Sequence, residues 1–259
     1  MSFDYGADPV SAGGKLKQAA LGSHEARLLG LIHLGMYEDE FKGKKKPAAP
    51  FVCALFELKS GEEGGGVNED GSPIIVHRSF PLKKGDKAYL TSFMEVFLSA
   101  QELQLYKAGA LNGSFDDFIG KPVQLTMEGS GKTNEDGSPA YVNVAAINKL
   151  PPKFAAMVDE LENAPIGHVT LNAYTESVLR ALPPFEIYGR LEQSLNFAGS
   201  KADEVLRAVR AADPEFAKKK VKEGQPSTNS AGGTGETNSA PATAPDSSPP
   251  ALDDSQDFA

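Results

Sequence analysis

The chain has 259 residues, 40% of them hydrophobic, enough to build a core if the apolar residues are concentrated in part of it. A net charge of −9 excludes a uniformly basic surface, and the single cysteine, Cys53, excludes an internal disulfide and fits a reducing compartment. Six acids and no Lys or Arg follow from Glu223 onward, leaving 29 acids against 26 bases before it, so any site for a polyanion has to be a local patch.

The first residues, "MSFDYGADPV", lack a basic stretch followed by an apolar one, and no run of about 18 apolar residues occurs. A cytoplasmic protein without membrane contact is the expectation. Residues 1–21 read as an N-terminal arm. Two β-rich runs then flank a basic loop: "GSHEARLLGLIHLGMYE", "DEFKGKKKPAAP" and "FVCALFELK". The runs are partly continuous in apolar residues, which predicts strands covered on both faces. The hexapeptide "NEDGSP" occurs at Asn68–Pro73 and again at Asn134–Pro139, and its Asp-Gly step predicts a hairpin tip at each place. The sequences flanking the two copies do not match, so the repeat does not mark a duplicated domain.

"PIIVHRSFPL" predicts a third strand. In "DKAYLTSFMEVFLSAQE", Leu90, Phe93, Met94, Phe97 and Leu98 form one apolar stripe at helical spacing, which predicts a helix capping a sheet or barrel. "KPVQLTMEG" and "AYVNVAAINKL" predict strands four and five, with Val142 and Val144 alternating against Asn143. Three strands, a helix and two strands are the element order of an OB-fold, a five-stranded barrel, here over residues 22–150. The fold class is therefore expected to be mainly β with helices, α+β. Residues 151–217 read as a helical extension, carried by "PPKFAAMVDELEN" and "PPFEIYGRLEQSLNFAGSKADEVLRAVRAADPEF", with Pro184 opening a helix and Gly199 near its end. Residues 218–250 are low in complexity and predict a flexible linker, and residues 251–259 form an acidic C-terminal tip.

No catalytic constellation emerges. "GSGKT" at Gly129–Thr133 lacks the earlier glycine of a phosphate-binding loop, has Thr126 in that place, and runs into a turn instead of a helix. It reads as a hairpin arm. His24, His33, His77 and His168 are too scattered to suggest a metal site, Cys53 has no CxxC partner, and no GxSxG elbow occurs. An enzyme is not expected, nor a cofactor, nor a bound metal.

Two basic and aromatic groups suit a polyanionic strand. The first loop holds Lys42, Lys44, Lys45 and Lys46 with Tyr37 and Phe41 close by; the second group, just before the helix, holds Arg78, Phe80, Lys83, Lys84 and Lys87. Lysines neutralise phosphates, and aromatic rings stack on bases at about 1–3 kcal/mol per base without regard to sequence. The plainer alternatives are a solvated turn for the lysines and a core position for Phe80. At the other end, "ALDDSQDFA" sets Phe258 among Asp253, Asp254 and Asp257. An acidic segment on a tether suits recruitment of a partner protein, and Phe258 is the part that mere solubilisation does not need.

"GSHEARLLGLIHLGMYEDEFKGKKKP", "FELK", "RSFPL" with the "KAYLTSFMEVF" helix, and "LPPFEIYGRLEQSLNFAGS" together resemble bacteriophage single-stranded DNA-binding proteins of the OB-fold type, over roughly residues 22–200 and the last nine. The resemblance implies sequence-independent binding of single-stranded DNA in replication or recombination. It also implies recruitment of replication or recombination proteins through the tip. The alternative is an interaction adaptor of the replication machinery that binds no DNA itself.

Overall fold

The computed structural model describes residues 17–41, 44–61 and 65–218, with the backbone alone for residues 39–41 and 44–46. Strands β1 (Gly22–Phe41), β2 (Lys44–Leu58) and β3 (Ile75–Pro81) come first, then helices α1 (Tyr89–Phe97) and α2 (Ala100–Lys107), then β4 (Pro122–Gly129) and β5 (Val142–Asn148). The chain continues through α3 (Pro152–Ala155), β6 (Gly167–Val169), α4 (Glu176–Ala181), α5 (Pro184–Gly189) and α6 (Lys201–Ala212).

Strand β2 explains why its sequence is apolar without a break. Side chains alternate across a strand, and Val52, Ala54, Phe56 and Leu58 enter one core while Cys53 and Leu55 enter another on the opposite face. The first core contains the whole predicted stripe Leu90, Phe93, Met94, Phe97 and Leu98. The second is closed by α4 to α6, through Val178, Leu179, Ile187, Leu206 and Val209. Each fully buried Leu or Phe contributes about 1.5–3 kcal/mol, so both faces of β2 are strongly held.

Strand β1 feeds the same two cores but changes phase along its length. Ala26 and Leu28 face the first core and Leu29 the second, yet Leu31 is again in the first. The cause is a register slip between Leu28 and Gly30, followed by another between His33 and Gly35. Both slips centre on glycines. A Cβ on Gly30 would sit 2.8 Å from Ile166 Cβ, and Gly35 has φ of 103° with Ser194 Oγ in the space its Cβ would take. The first slip also divides one edge of β1. Gly22–Arg27 pair with β4, antiparallel, and Gly30–Ile32 pair with β6, parallel.

The resulting antiparallel sheet runs β3-β2-β1-β4-β5, with β6 added beside β1 as the parallel exception. It corrects the expected five-stranded barrel: among the described residues there are six strands, and the sheet does not close. No ladder of described residues joins β3 to β5. Arg78 spans them instead, donating from Nη1 to the Val144 carbonyl at 2.8 Å, with its guanidinium 5.2 Å from the Tyr89 ring centroid. The five predicted strands, the helical stripe between the third and fourth, and the α+β class all appear in the structure.

Both "NEDGSP" copies form the same tip. Asn68 and Asn134 N–H each donate to the serine carbonyl four residues on at 2.8 Å, and Asp70 and Asp136 Oδ1 each accept from the following Ser72 and Ser138 N–H at 2.9 Å. Thr133 bridges to Pro139, so "GSGKT" is a hairpin arm, as its sequence predicts.

The extension departs from expectation at its start. "PPKFAAMVDELEN" is helical only over Pro152–Ala155. Two buried charges capture the backbone that a longer helix would use. Arg27 donates to the carbonyls of Val158 and Asp159 at 2.7 and 2.6 Å, and Glu57 accepts from the N–H groups of Glu162 and Asn163 at 2.8 and 2.9 Å. Lys59 pairs with Glu57 at 2.7 Å, and these hydrogen bonds hold the Glu57 carboxyl below its ordinary value although burial opposes them. Pro184 does open a helix, but Gly199 precedes one: Ser200 caps α6 by accepting from the Asp203 N–H. Residues 151–217 are thus joined to the sheet by β6 and by a shared core. Among the described residues no helix is long and apolar enough to cross a membrane.

Candidate functional site

A groove of about 380 Å³ opens beside the outer half of the β1–β2 hairpin, lined by Tyr37, Glu38, Ala49, Phe51, Pro81, Lys83, Gly189 and Arg190. The hairpin register places Tyr37 opposite Ala49 and Gly35 opposite Phe51. The bulge at Gly35 therefore sets where this wall begins. Tyr37 and Phe51 meet edge to face, ring centroids 5.6 Å apart. The arrangement leaves part of each ring facing the groove, since both residues are only half-buried.

Arg190, just after α5, lines the groove against Phe51. Its guanidinium lies over Phe51, 4.5 Å from the ring centroid, and its Nε is 3.1 Å from Glu186 Oε2. Glu186 is 1% exposed, accepts from Ser79 Oγ at 2.8 Å, and has His77 Nε2 at 3.8 Å. Burial raises the Glu186 carboxyl above its ordinary value, while Arg190 and the Ser79 hydrogen bond pull it back. A buried acid thus pairs with Arg190 where Arg190 lines the groove. Tyr37 Oη is buried with no hydrogen-bond partner among the described residues, and burial pushes its hydroxyl well above the usual value.

Two residues marked by the sequence, Tyr37 and Lys83, line this groove together. Others are placed elsewhere. The expected loop around the lysines is a strand end: Lys44, Lys45 and Lys46 begin β2, in register with Phe41, Glu40 and Asp39. The side chains of Phe41, Lys44, Lys45 and Lys46, and Lys42 entirely, lie outside the described residues.

Phe80 belongs to the first core. It is 2% exposed, with ring centroids 4.8 Å from Tyr89 and 5.0 Å from Phe93, and so offers no face to a base. Arg78 holds β3 against β5 as described, and Lys84 lies over the Tyr106 ring of α2, 5.7 Å from its centroid. The second basic and aromatic group is accordingly split between core, sheet edge, helix and groove. Asp253, Asp254, Asp257 and Phe258 lie outside the described residues.

Phe51 and Arg190 carry no distinguishing mark in the sequence. Phe51 sits in an apolar run that reads as core, and Arg190 sits in "FEIYGRLEQ", which reads as helix. The one local cue is Gly189 before Arg190, a position where the helix ends. Comparison with known proteins finds no matching family model and no matching curated protein.

Proposed function

We propose that this chain is a sequence-independent single-stranded DNA-binding protein of the OB-fold type, phage-encoded and working in the host cytoplasm in DNA replication or recombination. The observation that carries the reading is the groove: two aromatic rings, Tyr37 and Phe51, and two cations, Lys83 and Arg190, face one channel beside the β1–β2 hairpin. Stacking surfaces and cations along one path are what a single strand requires, because every base offers a ring face and every linkage a charge. The strand order supports the fold assignment. A long β1 shared between β2 and β4, with a helix between β3 and β4, is compatible with an OB-type arrangement, in which the seam between β3 and β5 would be open. The acidic tip, Asp253, Asp254, Asp257 and Phe258, would recruit replication or recombination proteins.

Titration of fluorescent oligo-dT at several salt concentrations tests this. Binding whose log K falls linearly with log salt is expected, at about −0.7 per neutralised phosphate. An oligonucleotide that stays free at low salt would overturn the reading and leave the adaptor, which binds protein and no DNA. Deletion of Leu252–Ala259 is expected to leave the fold intact and to remove partner recruitment.

A further inference from the structure

His33 and His168 are 135 positions apart and meet Nε2 to Nε2 at 2.8 Å, with ring centroids 4.9 Å apart. The parallel pairing of β6 with β1 brings them together, since His168 is in register with Leu31 and His33 is the next residue on that side of β1. Neighbours hold the backbone of both residues and one face of the His168 ring without using the facing nitrogens. Tyr174 Oη donates to the His33 carbonyl, the His168 N–H donates to Asp116 Oδ1 at 2.8 Å, and the edge of Phe115 packs on the His168 ring, centroids 5.2 Å apart. Both histidines keep partial access to solvent.

We propose that His33 and His168 form a two-imidazole site for a borderline divalent cation, Zn²⁺ foremost, bridging β1 and β6. Neutral imidazole nitrogen is a favoured ligand for such ions. Zn–N bonds of about 2.0–2.1 Å in tetrahedral geometry place two nitrogens about 3.4 Å apart, so the pair has to open by roughly half an ångström from its hydrogen-bonded distance. Small rotations of two partly exposed rings supply that. In the hydrogen bond, one Nε2 carries a hydrogen and the other presents a lone pair. Binding requires that hydrogen to move to Nδ1 of the same ring, after which both Nε2 lone pairs face the ion. Both rings stay neutral, and no proton is lost.

Among the described residues no group of three or more His, Cys, Asp or Glu is placed to hold a metal ion, so protein ligands beyond the two imidazoles are lacking, and Asp116 Oδ1 is engaged by the His168 backbone. The remaining coordination positions therefore fall to water. This makes an open, exchangeable site instead of a closed structural one. An ion held there would pin β6, and with it the start of the second core, to β1, and it would stabilise the folded chain in proportion to its occupancy.

The other two histidines serve as internal controls. His24 has both ring nitrogens engaged, by Ser60 Oγ at 2.7 Å and the Ala20 carbonyl at 2.8 Å, and His77 faces Glu186. The test is ZnCl₂ titration of the full-length, metal-free chain, followed by long-range ¹H–¹⁵N spectra of its histidines and by thermal unfolding. The expected result is a joint, saturable shift of the His33 and His168 Nε2 resonances at a single ion per chain, with His24 and His77 unmoved and the Tm raised. His168→Gln should abolish both the shift at His33 and the rise in Tm. Unmoved resonances, equal movement of all four histidines, or a Tm rise that survives in His168→Gln would overturn the proposal. If His168→Gln fails to fold, the wild-type spectra decide alone. None of these readouts involves DNA, so the outcome is independent of the proposed function.

Discussion

The Arg190 guanidinium lies over Phe51, 4.5 Å from the ring centroid, while the buried Glu186 pairs with its Nε at 3.1 Å. A cation oriented by a buried acid and backed by a ring is a rigid platform, and the loss of ordering entropy on binding is correspondingly small. The same contacts make Arg190 separable from Tyr37, since one supplies charge and the other only a ring.

Tyr37→Ala is expected to weaken oligo-dT binding by about 1–3 kcal/mol with an unchanged salt slope, because stacking releases few counterions. Arg190→Ala should weaken binding and also flatten the slope by roughly 0.7. Fluorescence titration across a salt series reads both. If Tyr37→Ala lowers Tm and leaves affinity intact, its ring serves the hairpin and not a base.

For the hairpin tip, replacing Lys44, Lys45 and Lys46 with Ala should reduce affinity for all sequences alike and lower the salt slope by about 0.7 for each phosphate left without its lysine. The register puts Asp39 and Glu40 opposite Lys46 and Lys45. An unchanged slope would mean that these lysines make no phosphate contacts.

Period-two alternation makes the strands legible in sequence, and the unbroken apolar run of β2 correctly announces a cover on both faces. What stays hidden depends on contacts distant in the chain. Arg27 and Glu57 draw in backbone 131 and 105 positions away, and nothing local in "PPKFAAMVDELEN" signals that its helix will be broken. Strand β6 has three residues, too few to show a period, yet it creates the His33–His168 pair. In the groove, Tyr37 and Lys83 are legible as types of side chain. Phe51 is not, because an aromatic within a strand looks the same in sequence whether its ring is half open or sealed.

Phe80→Ala distinguishes core from interface. Its ring is sealed between Tyr89 and Phe93, so truncation should cost about 3–5 kcal/mol of stability, read by urea denaturation. Affinity of the remaining folded protein for oligo-dT should match wild type. A loss of affinity with unchanged stability would return Phe80 to the binding surface.

Burial, reinforced by the charge of His168, lowers His33 to about 4. The unfolded chain therefore takes up its proton first, near pH 6.5, and the folded chain only near pH 4. Stability should fall as pH drops through that window, by on the order of 2 kcal/mol from His33 after allowing for its partial exposure. His77 is also lowered to about 4, mainly by burial, but the raised carboxyl of Glu186 beside it opposes the trend. His33→Phe should flatten the decline in metal-free buffer. Parallel pH profiles for variant and wild type would show that acid sensitivity arises elsewhere.

Glu57 ties the sheet to the strap that begins the second half of the fold. Its carboxylate is fully buried, pairs with Lys59, and accepts from the backbone of Glu162 and Asn163 and from Asn163 Nδ2. Glu57→Gln keeps the shape but removes the charge, and one of its oxygens becomes an amide that donates where it should accept. The cost should be on the order of 3 kcal/mol, moderated because Lys59 keeps its contact with Glu162 at 3.0 Å. The folded carboxyl is lowered, so its contribution is complete above the unfolded value near 4.3 and disappears as pH falls through the folded value. Lys59 is raised, so its share is complete below about 10.4 and is lost as pH rises through the folded value. The gap between wild type and Glu57→Gln should accordingly be constant between those limits, with the variant the less stable, and it should close in acid. Denaturation midpoints measured from pH 3 to pH 9 decide the matter, since equal midpoints at pH 7 would mean that the strap is held by its apolar contacts and not by this acid.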